Sequence, residues 1–205
     1  MDEAFSIFLE EFGSPIESRE VPPSSIQRYQ GILPNQLLTY WREHGWCGYG
    51  EGIFWMVNPQ DYDGVVESWL ESTKFANSDK YHVIARSAFG DLYLWGETSG
   101  ASLKITSILS RYSVHQSIYT GDRMDAGVRA FMVSKRVDTN DYGDLFKPAK
   151  KKLAPLHPDE MYGFTPAIML GGADKLENLE KVKIVEHLIF LSQLTTLNPF
   201  DLPEL

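Results

Sequence analysis

The first apolar pattern along the chain has helical spacing. Phe5, Phe8, Leu9 and Phe12 fall at i, i+3, i+4 and i+7, and Gly13 follows where a helix stops, so an amphipathic helix is predicted here. Residues 21–25, Val-Pro-Pro-Ser-Ser, read as a connector, because paired prolines continue neither a helix nor a central strand. A second helix is predicted from Pro34 at its first position, through the stripe Leu37, Leu38 and Trp41, to a terminating Gly45. Gly45 opens a glycine-rich stretch, residues 45–52, that runs into the apolar strand 53–57. Nucleotide-binding glycine loops follow a strand and open a helix. The order here is the reverse, which points to a tight turn presenting Trp46 and Tyr49 rather than to a phosphate cradle. Asn58, Pro59 and Asp61 then resemble the capped start of a third helix. Val65, Val66, Trp69 and Leu70 would face inward, and Asp61, Asp63, Glu67 and Glu71 would occupy its other faces.

The period then changes from helical to alternating. Residues 82–87 and 92–95 flank Gly90-Asp91 and predict a hairpin, and 103–105 and 112–114 continue the alternation. At Thr120-Gly121-Asp122 the strand pattern ends, which marks a boundary between units 1–119 and 122–205. Helical patterns follow over 126–136, 145–153 and about 181–197. The last has apolar residues on a wide stripe and reads as a core helix. The expected fold is therefore α+β: N-terminal helices packed on a mostly antiparallel sheet, followed by a smaller, mainly helical C-terminal part.

Composition sharpens this picture in two places. All five tryptophans precede residue 96, so the first half has an aromatic core or an aromatic face. Charge is just as uneven. The net charge is −9, and residues 1–100, with fifteen acids against six bases, hold the whole excess. That surface repels nucleic acid and attracts a basic partner. The longest apolar run, 53–57, falls far short of the roughly 20 residues a membrane helix needs, so no membrane association is expected. The chain starts Met-Asp-Glu without a basic, apolar leader, and the single Cys47 suits a reducing cytoplasm.

Catalytic patterns are sparse. The five histidines are scattered, and the lone cysteine has no Cys-x-x-Cys partner, so neither a metal site nor a cofactor is expected. Cys47 as a nucleophile needs an activating histidine in space, with His44 nearby in sequence; a buried structural thiol is the better reading. No nucleophile elbow, P-loop or kinase motif occurs. The run Lys150-Lys151-Lys152 with Lys147 reads as a solvated face, able to touch an acidic partner.

Two stretches carry a resemblance. Residues 31–59, which include Trp41, Trp46-Cys47-Gly48-Tyr49-Gly50-Glu51-Gly52 and Val57-Asn58-Pro59, together with 88–96, Ala-Phe-Gly-Asp-Leu-Tyr-Leu-Trp-Gly, resemble the GAD-like domain family. Residues 159–164, Asp-Glu-Met-Tyr-Gly-Phe, with Leu170-Gly171-Gly172, Glu177-Asn178-Leu179 and His187-Leu188, are similar to the companion C-terminal domain of type VI secretion immunity proteins. The resemblance implies a cytoplasmic, non-enzymatic immunity protein that binds and silences a cognate nuclease effector with a basic surface. A weaker likeness, Leu33-Pro34 with the helix ending at Gly45-Trp46, suggests instead an interaction scaffold of the SMI1/KNR4 type. Physics then selects the expected toxin contacts. Aromatic anchors and acids coincide at the turn carrying Trp46, Tyr49 and Glu51 and on the helix bearing Asp61, Asp63 and Glu67, expected to form one patch.

Overall fold

The computed structural model describes residues 2–200. Helix α1 (Glu3–Phe12) starts on Asp2, whose carboxylate accepts from the Phe5 amide, and ends at Gly13. Strand β1 (Ile16–Arg19) follows, then α2 (Pro23–Tyr29) and α3 (Asn35–His44). The prolines at 22 and 23 form less of a connector than expected. Pro23 is the first residue of α2, where its missing N–H costs nothing. Pro34 similarly precedes α3 by one position. Gly45, at φ +78°, ends α3, and a Cβ there would stand 2.4 Å from the Arg19 carbonyl oxygen, so the close approach of β1 requires glycine.

Residues 46–49 correct the sequence reading. They are strand β2 (Trp46–Tyr49), not loop, and a three-residue 3₁₀ turn, Gly50–Gly52, links them to β3 (Phe54–Met56). A second 3₁₀ turn, Pro59–Tyr62, capped by Asn58, leads into α4 (Asp63–Leu70). Then come β4 (Tyr81–Ser87), β5 (Asp91–Gly96), β6 (Gly100–Thr106) and β7 (Arg111–Val114), close to the predicted strands. Strands β1 to β7 form an antiparallel meander in chain order.

Beyond residue 120 the chain forms α5 (Met124–Ser134), α6 (Phe146–Leu153), a hairpin of β8 (Glu160–Phe164) and β9 (Leu179–Lys183), and α7 (Ile184–Ser192). The predicted helix over 181–197 is thus shorter. Its first three residues belong to β9, where Lys181, Val182 and Lys183 pair with Tyr162, Met161 and Glu160. Finally β10 (Asn198–Pro199) adds to β7 in parallel and completes an eight-stranded sheet.

The two sheet faces are read off consecutive residues of β3, which point opposite ways. Phe54 meets Phe8 and Phe12 of α1, both at 5.5 Å, and Tyr93, itself packed on Phe131 of α5. Trp55 faces the other way, under the guanidinium of Arg86 at 4.6 Å. One buried cluster runs from Phe5 to Leu191 without a break at residue 120.

Candidate functional site

The expected patch does not assemble as drawn. Trp46 is 6% exposed and Tyr49 is fully buried, because β2 lies between β1 and β3 with packing on both faces. Trp46 packs edge-on against Trp41 at 5.8 Å, and Tyr49 against Phe8 at 4.9 Å. Neither offers an anchor to a partner. Glu51 is exposed at the tip of the 3₁₀ turn, but its carboxylate is engaged by Lys150 of α6, which holds its pKa below the usual carboxylate value. Lys152 is occupied too: its ammonium donates to the carbonyls of Leu176 and Glu177, both at 2.9 Å. The lysine run is thus partly a clamp.

Cys47 is 1% exposed, with its thiol against the His44 carbonyl at 3.6 Å, and burial pushes its pKa up. A protonated, enclosed thiol is a packing group, in line with the sequence reading.

The three acids of the second element are all exposed, yet they divide between two clefts. Asp61, hydrogen-bonded to Asn58 at 2.8 Å, borders a small cleft of about 240 Å³ near Arg19, Asp159 and Lys183. Asp63 and Glu67 line a larger groove of about 650 Å³ between α2, α4 and the approach to β4. Its floor is apolar, built from Tyr29, Ile32, Val66, Leu70 and Phe75. Its rim adds Glu71 and Asp79, so four carboxylates face two cations, Arg28 and Lys80. Lys80 is drawn off by Glu97 at 3.4 Å, and Asp79 is spent on the amides of Thr98 and Ser99. Asp63, Glu67 and Glu71 have no ion-pair partner among the described residues.

Spacing makes those three a stripe. Residues 63, 67 and 71 are four apart, one above the next along α4 and its C-terminal cap, repeating about every 6 Å. Like charges at i,i+4 destabilise a helix, and an acid at its C-terminal end opposes the macrodipole. Asp63, in the first turn, suits the dipole, so local stability works against the continuation of the stripe through Glu67 to Glu71. Tyr29, at the floor, has its pKa pushed up to about 12 by burial, reinforced by the Asp63 charge, and so remains a neutral hydroxyl. At the inner wall His82 is 5% exposed; its Nε2 meets Glu97 at 2.9 Å, and its Nδ1 has no partner. Sequence reasoning placed Glu71 on this helix but did not select it, and it missed Ile32, Phe75 and His82. The four-residue spacing of the acids was the signal for Glu71. Only the fold brings α2 and β4 alongside.

With the geometry established, comparison with known proteins gives two family matches. The GAD-like domain model matches residues 3–109, and the model of the C-terminal domain of the type VI secretion immunity protein Tdi1 matches residues 125–195. The chain belongs to the GAD-like domain family. The second match supports a role in type VI secretion immunity, which implies binding a partner effector protein. No functionally curated protein matches the chain. Among solved structures, that of Atu4351 from Agrobacterium tumefaciens is similar over 97% of this chain and 94% of its own, with a TM-score of 0.81 and 21% identity. At that identity the likeness shows the shared fold. No helix among the described residues is long and apolar enough to cross a membrane.

Proposed function

We propose that this chain is an immunity protein that binds and neutralises a cognate type VI secretion nuclease, a DNase effector, in the cytoplasm of the producing cell. The observation that carries the proposal is the match of residues 125–195 to the Tdi1 immunity domain. Charge supports the nuclease as target. A DNA-gripping enzyme needs a cationic surface, and an inhibitor whose first hundred residues carry all of a −9 charge competes for it and steers association. Inhibition by occupation needs no turnover.

Two measurements test this. Co-expression with the toxin domain encoded by the neighbouring gene should restore growth, and Cys47→Ser should protect as well as the native chain. Surface plasmon resonance should show a tight complex whose association rate falls as ionic strength rises. Failure to detect a complex at micromolar concentration overturns the proposal.

A further inference from the structure

The groove between α2 and α4 suits one kind of occupant, and we infer that it seats a cationic segment of the effector, its basic side chains along Asp63, Glu67 and Glu71 and an apolar neighbour in the floor below. This inference rests on the immunity reading and adds the place and chemistry of contact. Three observations carry it. The stripe is a run of carboxylates without ion-pair partners among the described residues, with two like-charge i,i+4 pairs and, in Glu71, an acid at the C-terminal cap against the helix dipole. Places where a sequence breaks a local rule without structural compensation are candidates for function. The floor beneath combines a tyrosine, a phenylalanine and aliphatic groups in a cavity of about 650 Å³, large enough for one anchoring side chain and its backbone. At its wall, His82 keeps an enclosed ring nitrogen, Nδ1, without a hydrogen-bond partner.

Charge complementarity selects the occupant. Lysine or arginine side chains spaced about 6 Å apart would each meet one carboxylate, a spacing given by i,i+4 positions of a helix or alternate positions of a strand. Pairs at a half-enclosed groove lose less to screening than fully exposed pairs, so they slow dissociation as well as speeding encounter.

The experiment compares three full-length proteins against the neighbouring gene's toxin domain by surface plasmon resonance. They are the native chain, the groove triple Asp63→Lys, Glu67→Lys, Glu71→Lys, and a control triple Asp122→Lys, Asp138→Lys, Asp174→Lys. The control acids are exposed and have no side-chain partner among the described residues, so both triples change the net charge equally. The groove triple should weaken binding at least 100-fold, through slower association and faster dissociation; the control should weaken it no more than threefold, through association alone. Hydrogen exchange of the native complex, which needs no variant to fold, should show protection over 63–82. Equal losses in both triples, or no protection of 63–82, overturn the groove while leaving the immunity reading in place. No binding by the native chain overturns both.

Discussion

At the scale of single residues, buried polar groups mark where the fold is tightest. Arg86 is fully buried in β4, stacked on Trp55, and its Nη2 donates to the Pro158 carbonyl at 2.9 Å. A lone arginine in an apolar strand gives no hint in sequence that its partner is a carbonyl 72 residues away. His187 is a second case. Its ring is half-buried, with Nε2 enclosed, unpartnered and 2.7 Å from where a Cβ on Gly163 would stand. Burial depresses its pKa, and that of His44, which stacks on Phe5 at 4.0 Å. Both groups titrate lower in the folded chain than the ordinary value of 6.5, so below that pH the unfolded chain binds more protons. Stability is full above about pH 6.5 and is lost as pH falls through the folded values. His187→Leu should therefore flatten the fall in thermal midpoint between pH 7 and 5. Parallel curves for variant and native chain would show that His187 is not held neutral by the fold.

Among elements, α4 shows how far pattern reasoning reaches. Three of its four expected inward residues, Val65, Trp69 and Leu70, are buried as 3.6-residue spacing predicts, whereas Val66 is only half-buried and lines the groove. Legibility fails where two periods fit one stretch. Trp46-Cys47-Gly48-Tyr49 contains a glycine and neighbours three more, which signals a turn. In the fold residue 48 is a strand position paired with Ile16 and Trp55, and it is glycine because the Trp55 indole lies 3.0 Å from where a Cβ would be. A turn there would present Trp46 and Tyr49 as anchors, whereas a strand between two neighbours buries both. Over 181–183 the end of β9 runs straight into the apolar stripe of α7, so a helical period fits both. The acid stripe itself predicts a trade between stability and binding. Glu71→Lys removes one like-charge i,i+4 pair and places a cation at the helix C-terminus, each change favourable. The gain should be about 1 kcal/mol, or about 2–4 °C in thermal midpoint for a chain of this size. Calorimetry of the free protein measures it. An unchanged or lowered midpoint would mean that Glu71 has a structural partner in solution.

For the whole molecule, the two family-matched regions share one interior. Helix α5, beyond the expected boundary, buries Val128, Phe131 and Met132 and packs on α1 and α3. Polar ties cross the same boundary: Arg129 to Asp2 at 3.1 Å, the Gln36 amide to Asp125 at 2.9 Å, and Tyr93 to Asn140 at 2.8 Å. Further along, the Tyr162 amide donates to the Ala88 carbonyl at 2.9 Å, which fixes the β8–β9 hairpin against the turn between β4 and β5. Gly90, at φ +81°, lies so close to Met161 that a Cβ would stand 2.6 Å from its methyl. Each region thus completes the other's core, and a domain-sized boundary in sequence need not be a boundary in folding. The full chain should unfold in one cooperative transition, with calorimetric and van't Hoff enthalpies in agreement. A fragment of residues 1–119 loses the cover that α5 gives to Tyr93 and the α1 face. It should bind a hydrophobic dye and melt without a cooperative transition, by circular dichroism at 222 nm. Two resolved transitions in the full chain, or a sharp melt of the fragment, would show that the first region folds alone and that the shared core only docks it.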